Sequence, residues 1–366
     1  MLRIIFLMVL LAAGVAGCSK NEEKINIGYM GTLSGRYSDL GQATLQGVML
    51  AIEVSPVGER VNLVVRDDYG RPAEGAALLD EFSEAGVKYI IGPNLSSVAS
   101  TVVPLLGTYG IFMMSPTAST SSLAGKKDNF ARIIPNNSRK QTEGMSSYLI
   151  NKLKINDIVI LYDARNASYS NDIVKTFTES FMNHGGSIRD VRPFNPDSRE
   201  RLGSLIEKDS ANPPELYYVI GSAMDTSLII WQMKKRGFGS KILIRKWATS
   251  DDFYRLGGEA VEGVMLFDYY VDQNSPAYAE FAKAYKNRFQ KEPSWMNVYG
   301  YEAAMLLLNG LDDIQSGTNF VAALSKASAK GELFTDIEFD EYGDSYLPLH
   351  YFIIEKGETA YQGIAE

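Results

Sequence analysis

Cysteine and histidine are nearly missing from this 366-residue chain, which has one Cys and two His. A single thiol closes no internal disulfide, and so few soft ligands make no structural zinc site. Positive charge is also in deficit, with 36 Lys and Arg against 44 Asp and Glu and a net charge of −8. Nucleic acid and anionic membrane surfaces call for a basic face, so neither surface is expected as a partner. The GxSxG elbow, SxxK, Walker A, GxGxxG and HExxH signatures are all absent. His184 stands before Gly185-Gly186 and reads as an exposed helix end, while His350 lies in an apolar strand and reads as structural. Neither has an acid or nucleophile close in sequence, so no catalytic centre, cofactor or metal is expected. There is no Gly/Ser-rich linker, internal repeat or low-complexity tract. What remains is a 45% hydrophobic, 22% charged chain of the kind that packs as a globule, with a length suited to two domains.

Long apolar runs are missing too. The run from Ile4 to Leu11 follows Arg3 and falls short of the ~20 residues that span a bilayer, so it reads as a secretory signal. The lone Cys18 follows Val15-Ala16-Gly17, which resembles the bacterial lipobox; the competing reading is a buried Cys in an uncleaved segment. On the lipobox reading, residues 1–17 are a lipoprotein signal peptide and residues 18–24 a polar tether. Cys18 would then carry acyl chains, each buried CH₂ contributing about 0.8 kcal/mol of membrane attachment. An exported body anchored to a membrane by its N-terminus is expected.

From Ile25 onward, short β-rich runs alternate with amphipathic segments. Strands are expected over 25–30, 61–65, 87–91, 111–114, 158–162, 216–220, 242–244 and 264–267, with strands and turns over 337–354. Leu45, Val48, Met49 and Ile52 share one helical face, as do Ala304, Leu307, Leu308 and Leu311; Leu78, Phe82 and Ala85 mark another helix. The alternation predicts an α/β fold of parallel sheets covered by helices on both faces. Without a linker, more than one crossing between two lobes is expected.

Open parallel sheets bind ligands at their carboxyl ends. Three loops at such ends are rich in Gly, Ser and Thr: GTLSGRYSDLG (31–41), GPNLSS (92–97) and SPTASTSS (115–122). Hydroxyls and amide N–H groups converging there suit a small anion such as a carboxylate; the alternative is that these residues only cap helices. Asp67-Asp68 reads as a turn or cap, and the acidic run Asp336, Glu338, Asp340, Glu341, Asp344 as a solvated turn without EF-hand spacing.

Four segments carry a resemblance: IGYMGTLSGRYSDLGQATLQGVMLAIE (27–53), VRDDYGRPAEGAALLDEF (65–82), YIIGPNLSSVASTVVPLLGTYGIFMMSPTAS (89–119) and LGGEAVEGVMLF (256–267). They are similar to the leucine/isoleucine/valine-binding family, type I periplasmic solute-binding proteins of ABC importers. The resemblance implies a Venus-flytrap with three hinge crossings, near Pro135–Asn137, Asp268–Tyr270 and Gly343–Leu347. One lobe would hold residues 25–135 and 270–342, the other 136–269 and 343–366. It implies a small carboxylated solute, an amino acid or organic acid, delivered to ABC permease subunits.

Carried over by position, Ser96 and Ser119 are the hydroxyls that hold the ligand carboxylate, with main-chain groups at Thr117 assisting. Tyr169 resembles the second-lobe aromatic that closes over the ligand. Ser222 stands where the family often has a larger group, and Met296 matches an apolar pocket wall. Trp247, with Lys246 beside it, stands where amino-acid binders keep an acidic residue for the ammonium. For Tyr169, Trp247 and Met296 the alternative is plain packing. A buried ammonium without a carboxylate is costly, so the carboxylate end of the ligand is read more firmly than the amino end, and a non-amino, aromatic acid fits the departure. A sensing module of the same fold, reporting to a membrane receptor, stays open as an alternative, with an exported enzyme as a third.

Overall fold

A computed structural model describes residues 24–136, 139–195, 202–328, 333–334 and 337–365. The lipobox with Cys18, together with Asn137 and Asp336, lies outside the described residues.

The first sheet contains β1 (Ile25–Gly31), β2 (Val61–Asp67), β3 (Tyr89–Ile91), β4 (Phe112–Ser115) and β5 (Phe130–Arg132), in the order β2-β1-β3-β4-β5 with every pairing parallel. Parallel strands joined by helical crossovers are covered on both faces, which is why β1 buries Ile27, Tyr29 and Met30 without alternation. The helices α1 (Ser38–Val54) and α2 (Pro72–Glu84) are two of these crossovers.

The second sheet contains β6 (Asp157–Asp163), β7 (Ser187–Phe194), β8 (Leu216–Ile220), β9 (Lys241–Arg245) and β10 (Met265–Tyr269). The pair β11 (Glu338–Phe339) and β12 (Ser345–Tyr346) forms a separate small ribbon. After it come β13 (Leu349–Glu355) and β14 (Glu358–Ile364), and the second sheet runs β14-β13-β10-β9-β8-β6-β7. Strands β6 to β10 are parallel, but β13 runs antiparallel to β10 and β14 antiparallel to β13. The expectation of parallel sheets is thus corrected at this edge. The reason is local: only Lys356 and Gly357 separate Glu355 from its partner Glu358, both with positive φ, and a two-residue turn can only return the chain antiparallel.

Long α8 (Trp295–Gln315) crosses α1 with the two backbones in contact. A Cβ at Gly47 would fall 2.1 Å from the carbonyl oxygen of Asn297, and one at Gly300 would fall 2.1 Å from that of Thr44. Glycine is required at both points of approach. The crossing sets the start of α8 against α1, where Asn297 Nδ2 donates to the Ala43 carbonyl at 2.7 Å.

One acidic residue breaks the solvated-turn reading. Asp344 accepts from Nε of Arg132 at 2.7 Å, and that arginine side chain is fully buried. Its Nη1 also donates to the carbonyl of Thr120 at 2.6 Å, so the turn is fastened to the first sheet by a compensated internal charge.

Candidate functional site

Between the carboxyl ends of the two sheets lies a narrow cavity of about 40 Å³. The first wall comes from the loops after β3 and β4, which are stitched together by their own hydroxyls. Ser115 Oγ donates to the carbonyl of Pro93 at 2.8 Å and accepts from the Ala118 N–H at 3.0 Å. Thr117 Oγ1 donates to the carbonyl of Asn94 at 2.8 Å, so this hydroxyl belongs to the scaffold. Ser96 Oγ accepts the Ser119 N–H at 3.2 Å, which leaves its own hydrogen to donate elsewhere. Ser119 Oγ is buried without a hydrogen-bond partner. Ser96, Thr117 and Ser119 all line the cavity, so the structure brings these three expected residues together.

The second wall comes from the ends of β6, β9 and β10. Tyr169, on α4 (Ala167–Asn183), and Trp247, just past β9, meet edge to face with centroids 5.4 Å apart. Trp247 also packs at 5.4 Å against Tyr37 from the first half. Lys246 forms an ion pair with Asp268, and its ammonium lies 5.4 Å from the ring centroid of Trp295 and 5.1 Å from that of Tyr299. Burial raises the Asp268 carboxyl above its usual range while Lys246 pulls it down. Tyr169, Lys246 and Trp247 therefore also line the cavity, with Phe267, Asp268, Tyr269 and Trp295 beside them.

Arg245 is the residue that sequence reasoning missed. It closes β9, lines the cavity, and brings its Nε to 3.5 Å from the Tyr169 hydroxyl. A guanidinium is charged at every accessible pH and presents a planar fork matched to a carboxylate. The signal available in the sequence was a cation at the carboxyl end of an apolar run of the central sheet. Asn94 and Asn166 are further polar lining groups found only in the folded chain.

Two expected residues stand elsewhere. The hydroxyl of Ser222 caps α5 (Ala223–Lys235) by accepting the Asp225 N–H and donates to its carboxylate at 2.8 Å, away from the cavity lining. Met296 is 1% exposed inside a core cluster, so packing accounts for it. The other singled-out groups are also structural: His184 follows the end of α4 with Nδ1 2.9 Å from the Ser180 carbonyl, and His350 is buried on β13 beside the rings of Tyr270 and Tyr361. Asp67 accepts the Leu33 and Tyr69 N–H groups, and Asp68 accepts from Thr32 and Gly70.

The two halves touch around the cavity. Tyr37 donates to Asp163 at 2.6 Å, Arg36 pairs with Asp225 at 2.8 Å, and Ser97 Oγ donates to Asn166 at 3.0 Å. Trp295 Nε1 donates to the Thr249 carbonyl at 2.9 Å. Burial, and then the Asp163 carboxylate, push the Tyr37 phenol above its ordinary range, so it stays a donor. The arrangement sets donors and aromatic rings from both halves around one cavity.

Comparison with known proteins agrees with this architecture. The chain is 24% identical to Leu/Ile/Val-binding protein homolog 3 of Brucella melitensis biotype 1, over 93% of this chain and 94% of that one. It is 23% identical to the Leu/Ile/Val-binding protein BraC3 of Rhizobium johnstonii, over 92% of each. Among solved structures, the leucine binding protein LivK of Thermotoga maritima superposes with a TM-score of 0.81 at 23% identity, covering 93% of this chain and 98% of that one. A solute binding protein of an ABC transporter from R. palustris, solved in complex with benzoate, also gives 0.81, at 19% identity over 93% and 96% of the two chains. Among the described residues, no helix is long and apolar enough to cross a membrane. The family model described as periplasmic binding protein matches residues 24–344, and the chain belongs to that family.

Proposed function

We propose that the chain is an exported solute receptor of an ABC importer that closes its two lobes over a small carboxylate. The observation that carries this reading is the charge of the cavity lining: two cations, Arg245 and Lys246, against one carboxylate, Asp268, with the Ser96 and Ser119 hydroxyls opposite. Such a lining favours an anion, and hydrogen bonds to a charged group are the stronger kind. Rings from Tyr169, Trp247, Phe267, Tyr269 and Trp295 suit an apolar or aromatic body. The relatives named for leucine, isoleucine and valine, and the R. palustris protein holding benzoate, support the same ligand size. Ligand-driven closure needs a ligand that touches both halves, because closure is driven only by groups bound better in the closed form. The stretches near Pro135–Asn137, Asp268–Tyr270 and Gly343–Leu347 serve as the crossings in this reading, and Cys18 as the lipid attachment point.

Thermal unfolding of ligand-stripped protein tests it, with benzoate, 3,4-dihydroxybenzoate, 4-methylpentanoate, leucine and isoleucine as probes. A ligand at 100 times its Kd adds about 2.7 kcal/mol of stability. The expected result is a raised midpoint with at least one carboxylate. No shift with any of them sinks the reading. Replacing Cys18 with Ala should release the protein from the membrane fraction of its host.

A further inference from the structure

Lys246 does more than line the cavity. Its ammonium is held on one side by the Asp268 carboxylate and on the other by the faces of Trp295 and Tyr299 at 5.4 and 5.1 Å. A carboxylate with two aromatic faces is the environment that recognises a ligand ammonium, through charge and the ring quadrupole together. Here that place is filled from within the chain. The side chains are largely buried, 17% exposed for Lys246 and 9% for Asp268, and Lys246 is the main charge compensating Asp268, with Arg245 adding a weaker pull. Asp268 is also the one carboxylate among the described residues of the cavity lining.

We infer that Lys246 is a specificity-determining residue: a tethered ammonium that occupies the amine subsite of this cavity and turns away α-amino acids in favour of carboxylates without an amino group. The inference rests on the carboxylate reading above and names its substrate class. An incoming amino acid would have to place a second ammonium beside Lys246 with no carboxylate left for it, and an unpaired buried charge is rejected strongly. Lys246, Asp268 and Trp295 also border a second, more open cavity lined by Tyr299, so truncating Lys246 opens room beside Asp268 where the two cavities meet.

The test uses matched pairs that differ only by the α-amino group: leucine with 4-methylpentanoate, and phenylalanine with 3-phenylpropanoate, measured by calorimetry. The wild type should favour the amino-free member of a pair by about tenfold or more. Lys246→Ala should narrow or invert that ratio by gaining amino-acid affinity, and adding Asp268→Asn should abolish the gain. Lys246→Met, which keeps the length and removes the charge, should bind neither amino acid well. Equal or tighter wild-type binding of leucine or phenylalanine overturns the inference without any variant. An unchanged ratio in Lys246→Ala that keeps its native near-ultraviolet circular dichroism also overturns it. If the wild type binds none of the four probes and none of the other carboxylates named above, the carboxylate reading falls by itself. The amine subsite then stands or falls on whether ethylammonium chloride raises the unfolding midpoint of Lys246→Ala above its effect on the wild type.

Discussion

The two walls of the cavity are built on different principles. The first wall is small, neutral and stitched to itself: Ser115, Thr117 and the Ser96–Ser119 pair spend most of their hydrogen bonds on the two loops that carry them. The second wall is large, charged and aromatic, with Arg245, Lys246 and Trp247 presented consecutively from the end of one strand. The first wall can offer a ligand only what its internal bonding leaves over, chiefly the hydroxyl of Ser119 and the proton of Ser96. The second offers full charge and ring faces. Shape is thus set on one side of the cleft and electrostatics on the other.

Four substitutions probe this contrast. Arg245→Met should weaken the best carboxylate by about 100-fold or more, since losing one partner of a buried charged contact costs about 2–5 kcal/mol. Titration calorimetry measures it, and an effect smaller than that of Ser119→Ala would reverse the assignment of the walls. Ser119→Ala should cost about tenfold, a single hydrogen bond to a charged group being worth about 1.5–3 kcal/mol. Thr117→Val, two residues away in the same loop, should leave affinity intact and lower stability by about 1 kcal/mol, because its hydroxyl serves the Asn94 carbonyl. Urea unfolding alongside calorimetry separates the two readouts; a loss of affinity without a loss of stability would place Thr117 on the ligand.

The smallest effect belongs to the far side of the second sheet. On β7, Lys208 and then Arg192 hold the Asp190 carboxyl down at about 2. An unfolded Asp titrates near 3.9, so this pairing stabilises the fold above about pH 4 and is lost as pH falls toward 2. The site is largely solvated, and screening keeps the contribution to about 1 kcal/mol or less. Asp190→Asn should therefore destabilise at pH 6 and hardly at all at pH 2.5, with no change in ligand affinity at neutral pH. A gap between the unfolding midpoints that persists in acid would contradict it.

What could be read in advance followed physical locality. The apolar strands and the Ser-Pro-Thr-Ala-Ser loop announce themselves within a few residues, so β1, β2, β3, β4, β6, β8, β9 and β10 were legible, while Ser96 and Ser119 were singled out through the family resemblance. β7 (SIRDVRPF) was not, because as an edge strand it carries Arg189, Asp190 and Arg192 rather than an apolar run. β5 is only three residues long. Asp344 sits in an acidic run that reads as solvated, and only its contact with an arginine 212 residues away shows otherwise. Arg245 was hidden for a similar reason: a cation ending an apolar strand is an ordinary way to reach solvent, and only the opposing half turns that end into an interior. Tyr37 and Asp163 lie 126 positions apart, so their link across the cleft leaves no local trace either.

The stretch Arg245–Lys246–Trp247 has a consequence for how such a receptor changes diet. On the proposed reading, three consecutive codons would encode an anion grip, an occupant of the amine subsite and a ring wall, while the loops opposite bond to one another. A duplicated copy could exchange one nutrient for another by substitutions confined to that tripeptide, leaving hinge and scaffold untouched, which makes it the shortest mutational route between neighbouring ligand classes.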